Sequence, residues 1–267
     1  MFRVYGRCFP DYPASKELFA EFLEDARVIR AYDGSNVIGF SVVHKNIIKL
    51  LCADGEYGGK GRGSGLLKQS EEYIKSRGHT KIVLGGAINE IFQGVPEDYG
   101  AVGFFERRGY RAERTSVNMS LPLETFGAPR TYVPPKPDGV AFRFAEKSER
   151  GALITAVKDA NKDWLGIFSE SKEPVMVAVS NGEIAGFQIV SADGARFLYN
   201  DCAIGCVGVV HKARKRGIGL SMVAEGAAYL KKRGRKSVEL LYTELEGWYG
   251  KLGFKTVSRQ WMEEKRL

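Results

Sequence analysis

The chain has 267 residues, of which 44% are hydrophobic and 27% charged, and a net charge of +8. That is enough for one large domain or two of ordinary size with proper cores. No apolar run approaches the ~20 residues that span a bilayer, and the start, "MFRVYGRCFPDYPAS", lacks the long apolar stretch of a secretory signal.

Cys8, Cys52, Cys202 and Cys206 form no paired C-x-x-C, and three scattered histidines complete no zinc set. No metal is expected, and the cysteines read as buried thiols of a reducing cytoplasm. The excess of cations fits a nucleic-acid partner, a phosphate-rich small ligand, or solubility alone.

In chain order, "SKELFAEFLED" carries Leu18, Phe19, Phe22 and Leu23 on one helical face almost at the N-terminus. "AYDGSNVIGF" (31–40) reads as strand, turn and returning strand, a hairpin. "NIIKLLCAD" is the next strand, leading into a glycine loop, Gly58-Gly59-Lys60-Gly61-Arg62-Gly63, and a helix. The segment "GAINEIFQGVPEDYG" is long enough to reach over a substrate cleft, although such loops more often only connect. "GFFERRGY" (103–110) is a short helix before a strand. "APRTYVPPKPDG" holds four prolines and a glycine, a linker composition.

The second half opens with the strand "VAFRFA" (140–145) and the helical "SERGALITAVKDANKDWLG", with Ser148 as its N-cap. "PVMVAV" and "EIAGFQIV" form a hairpin, and "CAIGCVGVV" (202–210) a buried strand. After a second loop, Leu220, Val223, Ala227 and Leu230 share one helix face. "SVELLYT", a short helix and "FKTVSRQWME" complete the half.

The two halves repeat. Gly61 and Gly217, Gly63 and Gly219, Tyr73 and Tyr229, and Gly78 and Gly234 stand at one offset, 156. The hairpins match at 147 and the "GFFERRGY" and "GWYGKLGF" blocks at 144. The first half has no counterpart of "VAFRFA", so its sheet is expected to be one strand short, or completed from elsewhere. The expected architecture is α/β with a mixed sheet in two tandem domains, residues 1–128 and 140–267, joined by a linker at 129–139.

A basic, glycine-bearing loop between strand and helix aims backbone N–H groups and the positive helix end at one point, which suits a phosphate or pyrophosphate. No G-x-x-x-x-G-K-[ST] is present, nor a G-x-G-x-x-G closing an early βαβ unit. The segment "VGVVHKARKRGIGLSMVAEGAAYLKKRG", followed by "WYGKLGF", resembles the GCN5-related N-acetyltransferase (GNAT) superfamily. The family's [QR]-x-x-G-x-[GA] motif stands here as Arg214-Lys215-Arg216-Gly217-Ile218-Gly219, and its late aromatic motif as Trp248 to Phe254. The resemblance covers most of 140–267 and, more loosely, most of 1–123.

The resemblance implies acetyl-CoA as co-substrate and an amine acceptor. Val207, Gly208 and Val209 would hold the pantetheine and thioester through their backbone. Arg214, Lys215, Arg216, Gly217, Ile218, Gly219 and Leu220 would hold the pyrophosphate, with Lys212 adding charge. Tyr249 matches the tyrosine that protonates the departing thiolate, a fitting role for a phenol whose pKa lies near that of a thiol; its alternative is packing between helix and sheet. Asp201 is the candidate base, with Glu244, Glu246 or a chain of waters as rivals.

The first half has Gly58 where the second has Arg214, Phe105 where it has Tyr249, and no carboxylate near the place of Asp201. The expectation is one productive site per chain, in the second half, in a cytoplasmic enzyme. CoA and a small-molecule amine are the expected partners, with no membrane and with nucleic acid set aside. Some tandem relatives occur joined to hexosaminidases, which brings an amino sugar among the acceptors. The opposing class is a non-catalytic CoA-binding or nucleic-acid-associated module on a degenerate fold.

Overall fold

In a computed structural model of the chain, the described residues are 1–57, 61–86, 91–128, 132–170, 172–192 and 202–267. They form two compact units: Met1–Val117 with Ser258–Leu267, and Asn118–Val257. No helix is long and apolar enough to cross a membrane.

Unit 1 begins with α1 (Phe2–Cys8) and α2 (Lys16–Leu23). The Ser15 side chain caps α2 by accepting from the Leu18 N–H, 3.0 Å away. Then come β1 (Arg27–Asp33), β2 (Asn36–His44), β3 (Ile47–Ala53), α3 (Arg62–Ser76), β4 (Lys81–Leu84), β5 (Val95–Pro96), α4 (Val102–Glu106) and β6 (Arg111–Pro122). β1, β2 and β3 are antiparallel neighbours, and β4 lies parallel to β3. Leu67 and Ile74 of α3, Phe105 of α4 and Tyr110 pack with Val43, Ile48, Ile82 and Leu84 of the sheet into one core.

Unit 2 contains β7 (Val140–Phe144), α5 (Arg150–Ala160), α6 (Leu165–Glu170), β8 (Val175–Ser180), β9 (Glu183–Ser191) and β10 (Ala203–Val209). α7 (Ile218–Lys232), β11 (Ser237–Thr243), α8 (Glu246–Gly250) and β12 (Lys255–Arg266) follow. The strand order β7-β8-β9-β10-β11 is antiparallel up to β10, and β10 and β11 are parallel. The cap before α5 is not Ser148. Glu146 and Glu149 form a capping box, and Arg143 grips the Glu149 carboxylate at 2.6 and 2.7 Å, so the acidic pair outcompetes the hydroxyl.

Among the described residues no strand takes the place of β7 in unit 1, where β1 is the edge, so that sheet is one strand short there; on its other side, beside β4, a strand comes from the far end of the chain. Glu264, Lys265 and Arg266 of β12 pair antiparallel with Val83, Ile82 and Lys81 of β4. Gln260 and Trp261 pair with Pro96 and Val95 of β5, and the Gln260 side-chain oxygen Oε1 accepts from the N–H groups of Gln93 and Gly94. The segment from Ile91 to Tyr99 is thereby anchored in unit 1, with Ile91 and Phe92 buried. β6 makes the opposite transfer: it starts in unit 1, and beyond Val117 it belongs to unit 2. There the Asn118 side chain accepts from the Tyr242 N–H of β11, and the Leu123 N–H donates to Lys236. Residues 258–267, counted with the second half by the repeat, thus belong to the first unit's sheet.

The repeat is visible in the packing. A Cβ on Gly39 of β2 would lie 2.8 Å from the Cys52 carbonyl oxygen and 3.2 Å from Leu66. A Cβ on Gly186 of β9 would lie 3.1 Å from the Gly208 carbonyl oxygen and 3.5 Å from Met222. Both partners recur at the offset of the glycine loops, 156.

Candidate active site

β10 is interrupted one residue before its candidate segment. Its register against β9 shifts between Gly205 and Gly208, and Cys206 takes φ +49°. This is a β-bulge, which bends the strand. On its other edge, the register of β10 with β11 among the described residues is the single pair Ala203 and Glu239. Toward Val209 the pairing of the two parallel strands has ended, so Val207, Gly208 and Val209 have no register partner on β11 among the described residues. β3 bulges near the equivalent place, with a register shift at Lys49.

The loop after β10 turns twice through left-handed geometry, at Lys215 (φ +63°) and Gly217 (φ +77°). The lysine carries a strain that glycine avoids, about 1–2 kcal/mol. α7 starts at Ile218, and its first intrahelical bond runs from the Ser221 N–H to the Gly217 carbonyl, 3.2 Å. The N–H groups of Ile218, Gly219 and Leu220 therefore have no acceptor one turn back. Beside these orphan donors stand the exposed cations Arg214, Lys215 and Arg216. Lys212 is held by Glu183. The arrangement suits a polyanion such as the CoA pyrophosphate.

Two assignments acquire a second reason in the structure. The Arg214 guanidinium donates to the carbonyls of Val209 (3.1 Å) and Ala160 (3.2 Å), so it also ties the end of β10 to the end of α5. At Gly219 an added Cβ would stand 3.2 Å from the Trp248 ring and 3.4 Å from Val209. The glycine is needed for the indole of α8 to seat on the helix start, whatever the ligand. This contact was invisible in the motif because it joins residues nearly thirty positions apart.

Tyr249 is 5% exposed, packed edge-on against Trp248 and Phe254. Burial, and secondarily the Cys206 thiol, push its phenol above the ordinary tyrosine range. The near match to a thiol expected from unperturbed values therefore fails, and the hydroxyl keeps its proton throughout the neutral range. Burial raises the Cys206 thiol to about 11. Thus α8 brings Tyr249 to the bulge, and Trp248 to Gly219 and Val209. Asp201 lies outside the described residues. Of its rivals, Glu244 is exposed, and the Glu246 carboxylate accepts from the Thr256 hydroxyl at 2.5 Å. Among the described residues no three His, Cys, Asp or Glu side chains gather as a metal site.

Unit 1 repeats the scaffold with different contents. Gly61 (φ +68°) caps α3, which like α7 has 15 residues. Gly58 lies outside the described residues. Phe105, 6% exposed, fills the place of Tyr249. Where β3 and β4 part, Phe9, Phe92, Tyr99 and Phe105 crowd the opening, leaving a cavity of about 60 Å³. The Lys49 ammonium at the bulge donates to the Phe22 carbonyl at 2.7 Å and lies over the Phe22 ring.

Residues 142–254 match the model of the acetyltransferase (GNAT) family. No curated protein sequence matches the chain. Among solved structures, the GCN5-related glucosamine N-acetyltransferase region of a fungal multi-domain GH3 β-N-acetylglucosaminidase is similar, with 22% identity and TM-score 0.83. That comparison covers 98% of this chain but only 36% of the fungal one. A GCN5-related N-acetyltransferase from Sphaerobacter thermophilus has 21% identity and TM-score 0.71, over 99% of this chain and 90% of that one. A tandem GNAT protein of the clavulanic acid biosynthesis pathway has 13% identity and TM-score 0.69, over 99% and 93%. Residues 142–254 are thus a domain of the acetyltransferase (GNAT) family, and the chain as a whole has a tandem GNAT fold.

Proposed function

We propose that the chain is a cytoplasmic acetyl-CoA-dependent N-acetyltransferase, that its acceptor is a small-molecule amine, and that the chemistry takes place in residues 140–267. The observation that carries this reading is the end of the pairing of β10 with β11 beside a loop of orphan N–H groups and exposed cations, with Tyr249 at the bulge. Acetyl-CoA supplies the activated acetyl group. The N–H groups of Ile218, Gly219 and Leu220, with Arg214, Lys215 and Arg216, bind and neutralise its phosphates. Val207, Gly208 and Val209 offer backbone donors and acceptors to an amide-bearing arm, and an N–H there polarises a carbonyl. Tyr249 holds a proton for a departing thiolate. Asp201 takes the proton of the amine. Unit 1 holds α3 and its cap Gly61 but has Phe105 and a filled cleft, so it serves as scaffold.

Glucosamine heads the acceptor panel, because the region named for it in the fungal protein has the same fold over nearly all of this chain. The test is release of free thiol from acetyl-CoA by the full chain with a panel of amines. Turnover that requires an amine and is saturable supports the proposal. CoA binding without turnover for any amine overturns it in favour of a binding module.

A further inference from the structure

We propose that Cys8 and Cys52 are a disulfide site, an oxidative modification that pins the first helix to the third strand of unit 1. Cys8 is the last residue of α1, and Cys52 lies on β3 opposite Phe40. The residues beside them are already joined. Arg7, next to Cys8, is paired with Asp54, two positions after Cys52, and reaches Glu56 at 3.5 Å. This ion pair sets the end of α1 beside the end of β3, and the two thiols are close enough to act on one another.

The two sulfurs differ in the way a thiol pair needs. Cys8 is partly exposed and Cys52 only 5% exposed. The neighbouring Cys52 thiol, with help from the Arg7 guanidinium, holds the Cys8 thiol below its ordinary range. Burial, then the neighbouring Cys8, holds Cys52 well above it. Cys8 is therefore the attacking sulfur and Cys52 the resolving one. The other cysteines are placed otherwise. Cys202 donates to the Ser237 carbonyl at 2.8 Å, and Cys206 stands four positions along the same stretch, roughly 13 Å away at strand rise and beyond disulfide reach.

The oxidant is a low-molecular-weight disulfide. The Cys8 thiolate attacks one of its sulfurs and expels the other as a thiolate. Cys52 gives up its proton and attacks the Cys8 sulfur, releasing the second thiolate. The protein loses two hydrogens and the reagent becomes two thiols. The bond would also fix Phe9, whose ring packs tilted against Phe92 (4.8 Å) and edge-on against Tyr99 (5.3 Å) beside the cleft of unit 1.

The test treats the full chain, folded and in native buffer, with oxidised glutathione, then blocks remaining thiols and digests with trypsin. The expected result is a cross-link between the peptides Cys8–Lys16 and Leu50–Lys60, and a fall from four to two thiols titratable in denaturant. In Cys8→Ser the remaining three thiols should all stay titratable. Separate, blocked peptides would overturn the proposal, as would glutathione retained on Cys8, or consumption of Cys52 in the Cys8→Ser protein.

Discussion

Glu263 on β12 is fully buried, and neither of its carboxylate oxygens has a hydrogen-bond partner. Burial, with Glu106 adding repulsion, raises its pKa from 4.5 to about 7. An acid raised on folding favours the native state below its unfolded pKa, and that advantage disappears as pH climbs through the folded value. The shift corresponds to about 3 kcal/mol by pH 8; water entry on ionisation reduces this, and we expect about 1–3 kcal/mol. Glu263→Gln removes the ionisation while keeping the shape. Its stability relative to the wild type should therefore rise by that amount between about pH 5 and about pH 8.5. Urea unfolding followed by Trp261 fluorescence reads this locally, since Trp261 lies two residues away on the same strand, and Trp164 and Trp248 can be replaced by Phe. If the two proteins show the same change in stability between the two pH values, the buried carboxyl is not titrating as argued.

Tyr249→Phe should lower turnover about 100-fold or more with little change in CoA affinity; Phe105 shows that phenylalanine packs at the equivalent place, and unchanged turnover with chemistry rate-limiting would make Tyr249 a packing residue. Gly219→Ala should destabilise by about 1–3 kcal/mol through Trp248 and Val209. Gly63→Ala, whose Cβ would stand 3.7 Å from Phe104, should be neutral or gain about 0.5–1 kcal/mol of helix propensity; urea melts showing the reverse order would contradict the packing argument. A chain ending at Val257 should lose amide-exchange protection in β4 while the β8–β9 hairpin keeps its own, and full protection of β4 would refute the role given to β12.

The repeat was legible because it rests on local signals: paired glycines, a 3.6-residue apolar face on α7, and hairpin turns. α1 was not, since Gly6, Val4 and its aromatics are poor helix formers; its support comes from burial of Val4 and Tyr5 and the bond from the Tyr5 hydroxyl to the Tyr12 carbonyl. The sequence marked "FKTVSRQWME" as a strand but held no sign of its partner, because strand pairing is chosen by distant neighbours. The candidate site divides the same way. The loop was found from its motif, whereas the tether made by Arg214 and the indole over Gly219 required elements brought together by folding.

The transfer of β6 and β12 bears on synthesis. Domains usually fold in the order in which they leave the ribosome. Here the unit made first cannot close its sheet until residues 258–266 have emerged, after every residue of unit 2. Until then β4 presents an unpaired edge, the kind of surface that recruits strands from other chains. The short β4, only four residues long with Lys81 at its start, limits that exposure.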